Sequence, residues 1–158
     1  MNKRIIICGP TCSGKNYLKN KLINQGFNPD VSYTTRKPRT GENRGVDYHF
    51  VSKAKFLEMI EEGRLYEYTQ YGEDHYGSGI KEFYKNDVFI KETDGIKKLN
   101  KEDRQSSFII YLNTPKEIRV IRMIERGWDQ EQIDKRLKED NEKFKDFKDF
   151  DIEITYFT

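Results

Sequence analysis

Arg4-Ile5-Ile6-Ile7-Cys8-Gly9-Pro10-Thr11-Cys12-Ser13-Gly14-Lys15-Asn16 reads as a buried strand that breaks into a glycine-bearing loop. The β-branched run before Gly9-Pro10 suits a parallel strand covered on both faces. The loop fits G-x-x-x-x-G-K, and Lys15 to Gln25 follows with Leu18, Leu22 and Ile23 at helical spacing before Gly26. That layout carries a chemistry. Successive backbone N–H groups make an anion nest, the helix N-terminus adds partial positive charge, and the lysine reaches the transferring phosphates. Gly9, Pro10, Thr11, Cys12, Ser13, Gly14, Lys15 and Asn16 are therefore the candidate phosphate-binding residues. Asn16 stands where Ser or Thr would give a hydroxyl to Mg²⁺, and its amide oxygen makes it the candidate metal ligand. Cys12 is expected to be a small side chain tolerated within the loop.

Outward from the loop, strands and helices alternate. Ser52 reads as an N-cap for a helix through Glu62 that turns Phe56, Leu57 and Ile60 inward and stops at Gly63. Leu65 to Tyr71 alternates like a strand, Tyr76-Gly77-Ser78-Gly79 reads as a turn, and Val88-Phe89-Ile90 is a second buried-strand candidate. A helix is predicted from Gly95 to Lys101 and a third buried strand from Phe108 to Leu112. Pro115 opens a charged helical region to Lys148, interrupted at Gly127, and Ile152 with Ile154 suggests a last strand. This alternation predicts an α/β parallel sheet, with Val31 to Gly79 inserted between core elements. Phe144, Phe147 and Phe150 are expected to pack in the core, and His49 and His75 to be loop or sheet residues. The single tryptophan, Trp128, has no role that the sequence assigns.

The 158 residues point to one domain that can bury a core without staples. No apolar run nears the roughly 18–20 residues of a spanning helix, and Ile5-Ile6-Ile7-Cys8 is too short for the apolar part of a signal peptide. Lys+Arg 29 against Asp+Glu 27 leaves a formal charge of +2. That balance argues against a nucleic-acid binder and leaves any anion site to a local cluster. Cys8 and Cys12 fit neither a disulfide framework nor a zinc spacing. A reduced, cytoplasmic protein is expected, with neither membrane nor nucleic acid as partner.

Ser32-Tyr33-Thr34-Thr35-Arg36-Lys37-Pro38-Arg39-Thr40-Gly41-Glu42, then Gly45-Val46-Asp47-Tyr48-His49-Phe50, resembles the guanylate kinase family, whose pattern runs S-x-T-T-R-x-P-R-x-G-E and then G-x-D-Y-x-F. Glu67, Tyr76-Gly77-Ser78, Arg122, Arg126-Gly127 and Arg136-Leu137 fall at the family's spacing, so the resemblance runs from about Ile5 to Ile154. It implies a P-loop kinase with a three-layer parallel-sheet core (1–30, 80–120 and 143–158), an inserted nucleoside-monophosphate-binding lobe (31–79) and a helical lid (121–142). It also implies ATP-dependent phosphoryl transfer to GMP and dGMP with Mg²⁺, nucleotides as partners, and a monomer or homodimer.

Family members use the equivalents of Ser32, Glu67 and Ser78 for the base and those of Arg36, Arg39, Tyr48 and Tyr76 for the phosphate. Glu42 and Glu92 complete the implied GMP site; Glu92 stands where the family has Asp, and Asp94 where it has Gln. Lys15, Arg122 and Arg136 are the implied catalytic groups, with Arg126 beside the ATP phosphates. Family members continue past the last core strand, and Thr155 is nearest by position to their adenine-contacting Asn.

These residues suit that chemistry. Two arginines and two tyrosines can grip a phosphate monoester. A carboxylate at Glu67 can accept two hydrogen bonds from the guanine edge, which adenine cannot supply. Two other uses of the same frame stand beside this one: a docking module in which the nucleotide site receives a phosphopeptide or protein, and a P-loop kinase for another small phosphate ester. Lys15 within the Gly9/Gly14 frame speaks against the first, and the Ser32, Glu67 and Ser78 set against the second.

Overall fold

A computed structural model describes residues 4–155. Its elements, in chain order, are β1 (Arg4–Cys8), α1 (Lys15–Asn24), β2 (Tyr33–Thr34), β3 (His49–Phe50), α2 (Lys53–Glu61), β4 (Leu65–Tyr71), β5 (Asp74–Gly79), α3 (Ile80–Lys85), β6 (Val88–Ile90), α4 (Thr93–Lys97), α5 (Lys101–Gln105), β7 (Ser107–Leu112), α6 (Lys116–Glu125), α7 (Gln130–Phe144) and β8 (Ile152–Ile154). The described residues fall into two compact units: one runs to Phe27 and resumes at Val88, and the other is Asn28–Asp87. None of the described helices is long and apolar enough to cross a membrane.

The first unit is built on a wholly parallel sheet of order β6-β1-β7-β8. Ile7 lies in register with Ile90 and Ile110, and Ile6 with Phe89 and Ile109, so alternation gives β1 two apolar faces. On the first, Leu18 and Leu22 of α1 pack on Ile7, Val88 and Leu112. On the second, Tyr111 stacks on Phe144 at 5.6 Å and meets Phe147 and Phe150 at 5.4 and 5.2 Å. The phenylalanine triplet is core, as its spacing suggested. Ile6 and Ile7 are fully buried, which stabilises the sheet by about 2 kcal/mol each.

Helix boundaries follow their caps. The helix expected from Gly95 to Lys101 is instead two, because the Asn100 side chain accepts the Asp103 N–H at 2.8 Å and restarts the helix. The long charged region divides where Gly127 adopts φ 80°. Asp129 and Gln132 then form a reciprocal capping box that opens α7.

The second unit carries a mixed sheet of order β3-β2-β5-β4. Tyr76-Gly77-Ser78-Gly79, expected as a turn, is instead the body of β5, a central strand pairing with β4 on one side and β2 on the other. Its glycines resemble turn chemistry, but two neighbouring strands satisfy its backbone. Ser52 caps α2 as expected, its Oγ accepting the Lys55 N–H at 3.1 Å. The inward stripe of α2 is Phe56, Met59 and Ile60, while Leu57 is 42% exposed. An i, i+3, i+4 face leaves position i+1 pointing outward.

Candidate functional site

The loop after β1 is held open by two glycines. A Cβ on Gly9 would lie 2.6 Å from both the Leu112 carbonyl oxygen and Ser13 Oγ, so only hydrogen fits there. Gly14, the N-cap of α1, takes φ 99°, a left-handed conformation that glycine adopts without strain. Lys15 Nζ donates to the Gly9 and Pro10 carbonyls at 2.7 and 2.9 Å, which holds the ammonium against the loop. Cys12 is the one described non-glycine residue with positive φ, at 61°. Its side chain is buried with Met123 and Ile133, ringed by Val120, Trp128 and Leu137. Cys12 is thus an apolar anchor tying the loop to α6 and α7, more than the tolerated filler expected. Both cysteines are free, and burial above all pushes the Cys8 thiol far up, with Glu92 adding to it.

Asn16 is exposed on the first turn of α1. Among the described residues no three His, Cys, Asp or Glu side chains gather as a metal site. A single amide oxygen suits Mg²⁺, which takes most of its ligands from nucleotide phosphates and water.

Of the three arginines singled out after Pro115, Arg122 reaches the loop, donating from Nη1 to the Cys12 carbonyl at 2.9 Å. Arg136 lies 5.9 Å over the Trp128 ring, with Nε 3.6 Å from Glu139. Trp128 therefore has a physical role, a cation–π platform under Arg136. Arg126 is exposed at the end of α6.

Two residues the sequence reading missed do more to hold the loop. Asp140, 2% exposed, accepts the Thr11 backbone N–H at 3.0 Å and Thr11 Oγ1–H at 3.2 Å. Arg119, also buried, donates from Nη1 to Asp140 at 3.0 Å and to the Thr11 carbonyl at 3.4 Å, and from Nε to the Thr114 carbonyl at 3.2 Å. Thr114 Oγ1 in turn donates to the Ser13 carbonyl at 2.8 Å. A signal was present: Asp140 shares a helical face with Ile133, Leu137 and Phe144, a carboxylate on an apolar stripe.

Glu92 belongs to this first unit, as the N-cap of α4. Burial lowers the Lys143 pKa, while Glu92 and Asp94 oppose that shift, so these three charges share one neighbourhood. Thr155 is exposed after β8.

The remaining residues gather in the second unit. Glu67 of β4 is 7% exposed, although β4 is an edge strand, and it pairs in register with Ser78 of β5. Ser78, itself buried, donates to Asp30 Oδ2 at 3.3 Å, and Ser32 donates to the same oxygen at 3.0 Å. Two of the three expected base-contacting residues, Ser32 and Ser78, are thus linked through Asp30, which the sequence reading did not single out, and Glu67 joins them by its register with Ser78.

Arg36 forms a two-pronged ion pair with Glu42, at 3.0 and 2.8 Å, and lies 5.4 Å over the Tyr48 ring. Tyr48 meets Tyr76 edge-on at 6.1 Å. The Arg39 backbone N–H donates to Glu42 at 2.7 Å, while the Arg39 side chain is exposed. The two histidines are sheet residues, His49 tilted against Tyr33 and His75 against Phe56.

Burial works to raise the Glu42 carboxyl, but the Arg36 guanidinium and Arg39 amide outweigh it and hold the group below its ordinary 4.5. A depressed carboxylate stabilises the fold above its unfolded value and loses that contribution as pH falls through the folded one. Glu42→Gln should therefore flatten the acid limb of the stability curve below about pH 4.5, read as thermal midpoints across roughly pH 3–7.

The family model described as guanylate kinase matches residues 1–156. The guanylate kinase of Clostridioides difficile is 37% identical over 159 residues, covering 95% of this chain and 78% of that one. That of Wolinella succinogenes is 35% identical, covering 95% of this chain and 74% of that one. The crystal structure of guanylate kinase from Anaplasma phagocytophilum superposes with a TM-score of 0.70 over 98% of this chain and 77% of that one, and at 24% identity it speaks to the fold alone. Taken together, a parallel-sheet phosphate loop, a second unit with a buried carboxylate–hydroxyl cluster, and a match across nearly the whole length leave one conclusion: the chain belongs to the guanylate kinase family.

Proposed function

We propose that the protein transfers the γ-phosphoryl group of ATP to GMP, giving ADP and GDP, with dGMP as a second acceptor. The observation that carries this reading is the buried Glu67 beside Ser78, with Ser32 and Ser78 tied to one carboxylate. Guanine offers N1–H and an N2 amine on one edge, and a buried carboxylate satisfies both. Arg36, Arg39, Tyr48 and Tyr76 bind the acceptor phosphate, with Glu42 holding Arg36 in its fork geometry.

Phosphoryl transfer needs little covalent work from a protein; alignment, exclusion of water and neutralisation of charge supply most of the rate. The amides of Gly9 to Asn16 cradle the ATP phosphates, and Lys15 moves from the loop carbonyls to the β- and γ-phosphates. Arg122, Arg136 and Arg126 on the lid segment 121–142 neutralise charge on the transferring group. Mg²⁺, when bound with the nucleotide, supplies Lewis-acid charge neutralisation, and Asn16 would help to hold it. The protein works on free nucleotides in the reducing cytoplasm, where Cys8 and Cys12 stay thiols.

ADP release measured with GMP, dGMP, AMP, CMP, UMP and dTMP, with and without Mg²⁺, tests the proposal. Metal-dependent turnover on GMP and dGMP above all others is expected. Binding of GMP with no turnover would make the protein a docking module, and preference for a non-guanine acceptor would refute the base site. Lys15→Ala should lower kcat by about 100-fold or more, the loss typical when one preorganised charge-stabilising group is removed. Unchanged turnover would remove Lys15 from the mechanism.

A further inference from the structure

Trp128, the single tryptophan, follows the glycine that ends α6, and backbone hydrogen bonds set its place. The Gly127 N–H donates to the Ile124 carbonyl at 2.8 Å and the Trp128 N–H to the Met123 carbonyl at 3.2 Å. With Gly127 at φ 80°, these two bonds make a Schellman stop, in which the residue after the glycine packs back on the helix it closes. Trp128 does so, resting on the cluster of Met123, Ile133 and Cys12. One residue later Asp129 caps α7, so the ring is held between two helix ends. Farther along α7, the Arg136 guanidinium lies 5.9 Å from the ring centre.

Arginine is a long side chain with many rotamers, and a guanidinium held in advance loses less freedom when it meets a phosphate. Glu139 stands 3.6 Å from Arg136 Nε, and an exposed pair of that length does little to fix it. The indole face is the strongest aromatic platform for a cation, and here it is anchored. Cys12 belongs both to the cluster beneath the ring and to the loop after β1, and its carbonyl accepts Arg122 Nη1 at 2.9 Å. Arg122 is thus registered to Cys12 directly, and Arg136 through Trp128. We infer that Trp128 is a positioning residue for phosphoryl transfer: its ring sets Arg136 at a fixed place relative to the phosphate loop, ready for the transferring group. This deepens the proposed function and rests on its assignment of Arg136 to that group. A residue acting in this way lowers the barrier to transfer and leaves the binding of either nucleotide alone, so its loss reads in kcat and not in KM. Its effect also exists only while Arg136 is there to be held, whereas a packing residue slows the protein whether or not the arginine is present.

The test is a double-mutant cycle on the full chain, with kcat and both KM values measured for the wild-type protein, Trp128→Leu, Arg136→Ala and the double variant. Trp128→Leu keeps an apolar side chain on Met123 but loses the π face, and should lower kcat about tenfold with both KM values within about twofold. In the Arg136→Ala background the same change should cost less than about twofold. Trp128→Phe, which keeps a smaller ring, should recover most of the loss, and Trp128→Met enters the cycle if Trp128→Leu does not fold. A readout without turnover is the Trp128 fluorescence of the nucleotide-free protein, whose emission maximum should shift in Arg136→Ala as the cation leaves the ring. An unshifted maximum would overturn the platform. A slow Arg136→Ala beside an aliphatic Trp128 variant of wild-type kcat would overturn the inference and leave the role of Arg136 standing. An equal fall in both backgrounds would do the same, marking Trp128 as packing alone. Arg136→Ala with wild-type kcat, or a wild-type protein without turnover on GMP, would overturn the proposed role of Arg136 and this inference with it.

Discussion

Glu67→Ala should cut kcat/KM for GMP by about 10⁴-fold while leaving the weak rate on AMP nearly untouched, so that guanine discrimination collapses. The size of the effect follows from burial. Glu67 is 7% exposed and faces Ser78 across the β4–β5 ladder, so water cannot replace it cheaply once it is gone. A bound guanine would then bury two N–H donors without a partner, and each unmatched donor costs about 1–3 kcal/mol. Adenine never makes those bonds and has nothing to lose. Glu67→Gln should fall between, since its amide keeps one acceptor oxygen but turns a donor toward the guanine N–H groups. Steady-state kinetics on both acceptors at saturating ATP read the ratio, with KM for ATP as the control for an intact fold. An unchanged GMP:AMP ratio in Glu67→Ala would remove this carboxylate from base recognition and with it the main support for the acceptor assignment.

What the sequence made legible was local. The strand, loop and helix from Arg4 to Asn24 form one contiguous unit whose residues act on their immediate neighbours, and it appears where it was read. The Ser52 cap and the break at Gly127 are legible for the same reason, since a cap or a left-handed glycine acts within one turn. The misreadings share the opposite cause. Tyr76 to Gly79 looks like a turn until β2 and β4 arrive on either side, and no local signal announces a strand that two distant segments will pair. Asp30 and Ser78 are far apart in the chain and meet only because the sheet brings Ser78 beside the segment before β2. Cys12 looked like filler because its apolar partners, Met123 and Ile133, lie on helices more than a hundred residues away.

Asp140→Ala should lower the thermal midpoint by roughly 10 °C, from a loss of about 3–5 kcal/mol at about 2–4 °C per kcal/mol for a chain of this size. Three groups lose their partner together. The buried Arg119 guanidinium keeps only carbonyl contacts, and the Thr11 N–H and Oγ1 are left facing the cavity. Removing one member of a buried ion pair is costly because the surviving charge stays desolvated. Replacing both members should behave differently. Arg119→Met with Asp140→Leu fills the space with apolar side chains that match Ile133, Leu137 and Met123, and should recover most of the midpoint. It does not restore the tether on Thr11, whose N–H belongs to the loop proposed to cradle the ATP phosphates. The double variant should therefore be stable yet show a raised KM for ATP, with KM for GMP unchanged. Thermal melts paired with steady-state kinetics separate the two effects. A double variant with wild-type KM for ATP would mean that the pair only fills the interior, and a single Asp140→Ala variant as stable as wild type would mean that Arg119 finds water or another partner when its carboxylate is gone.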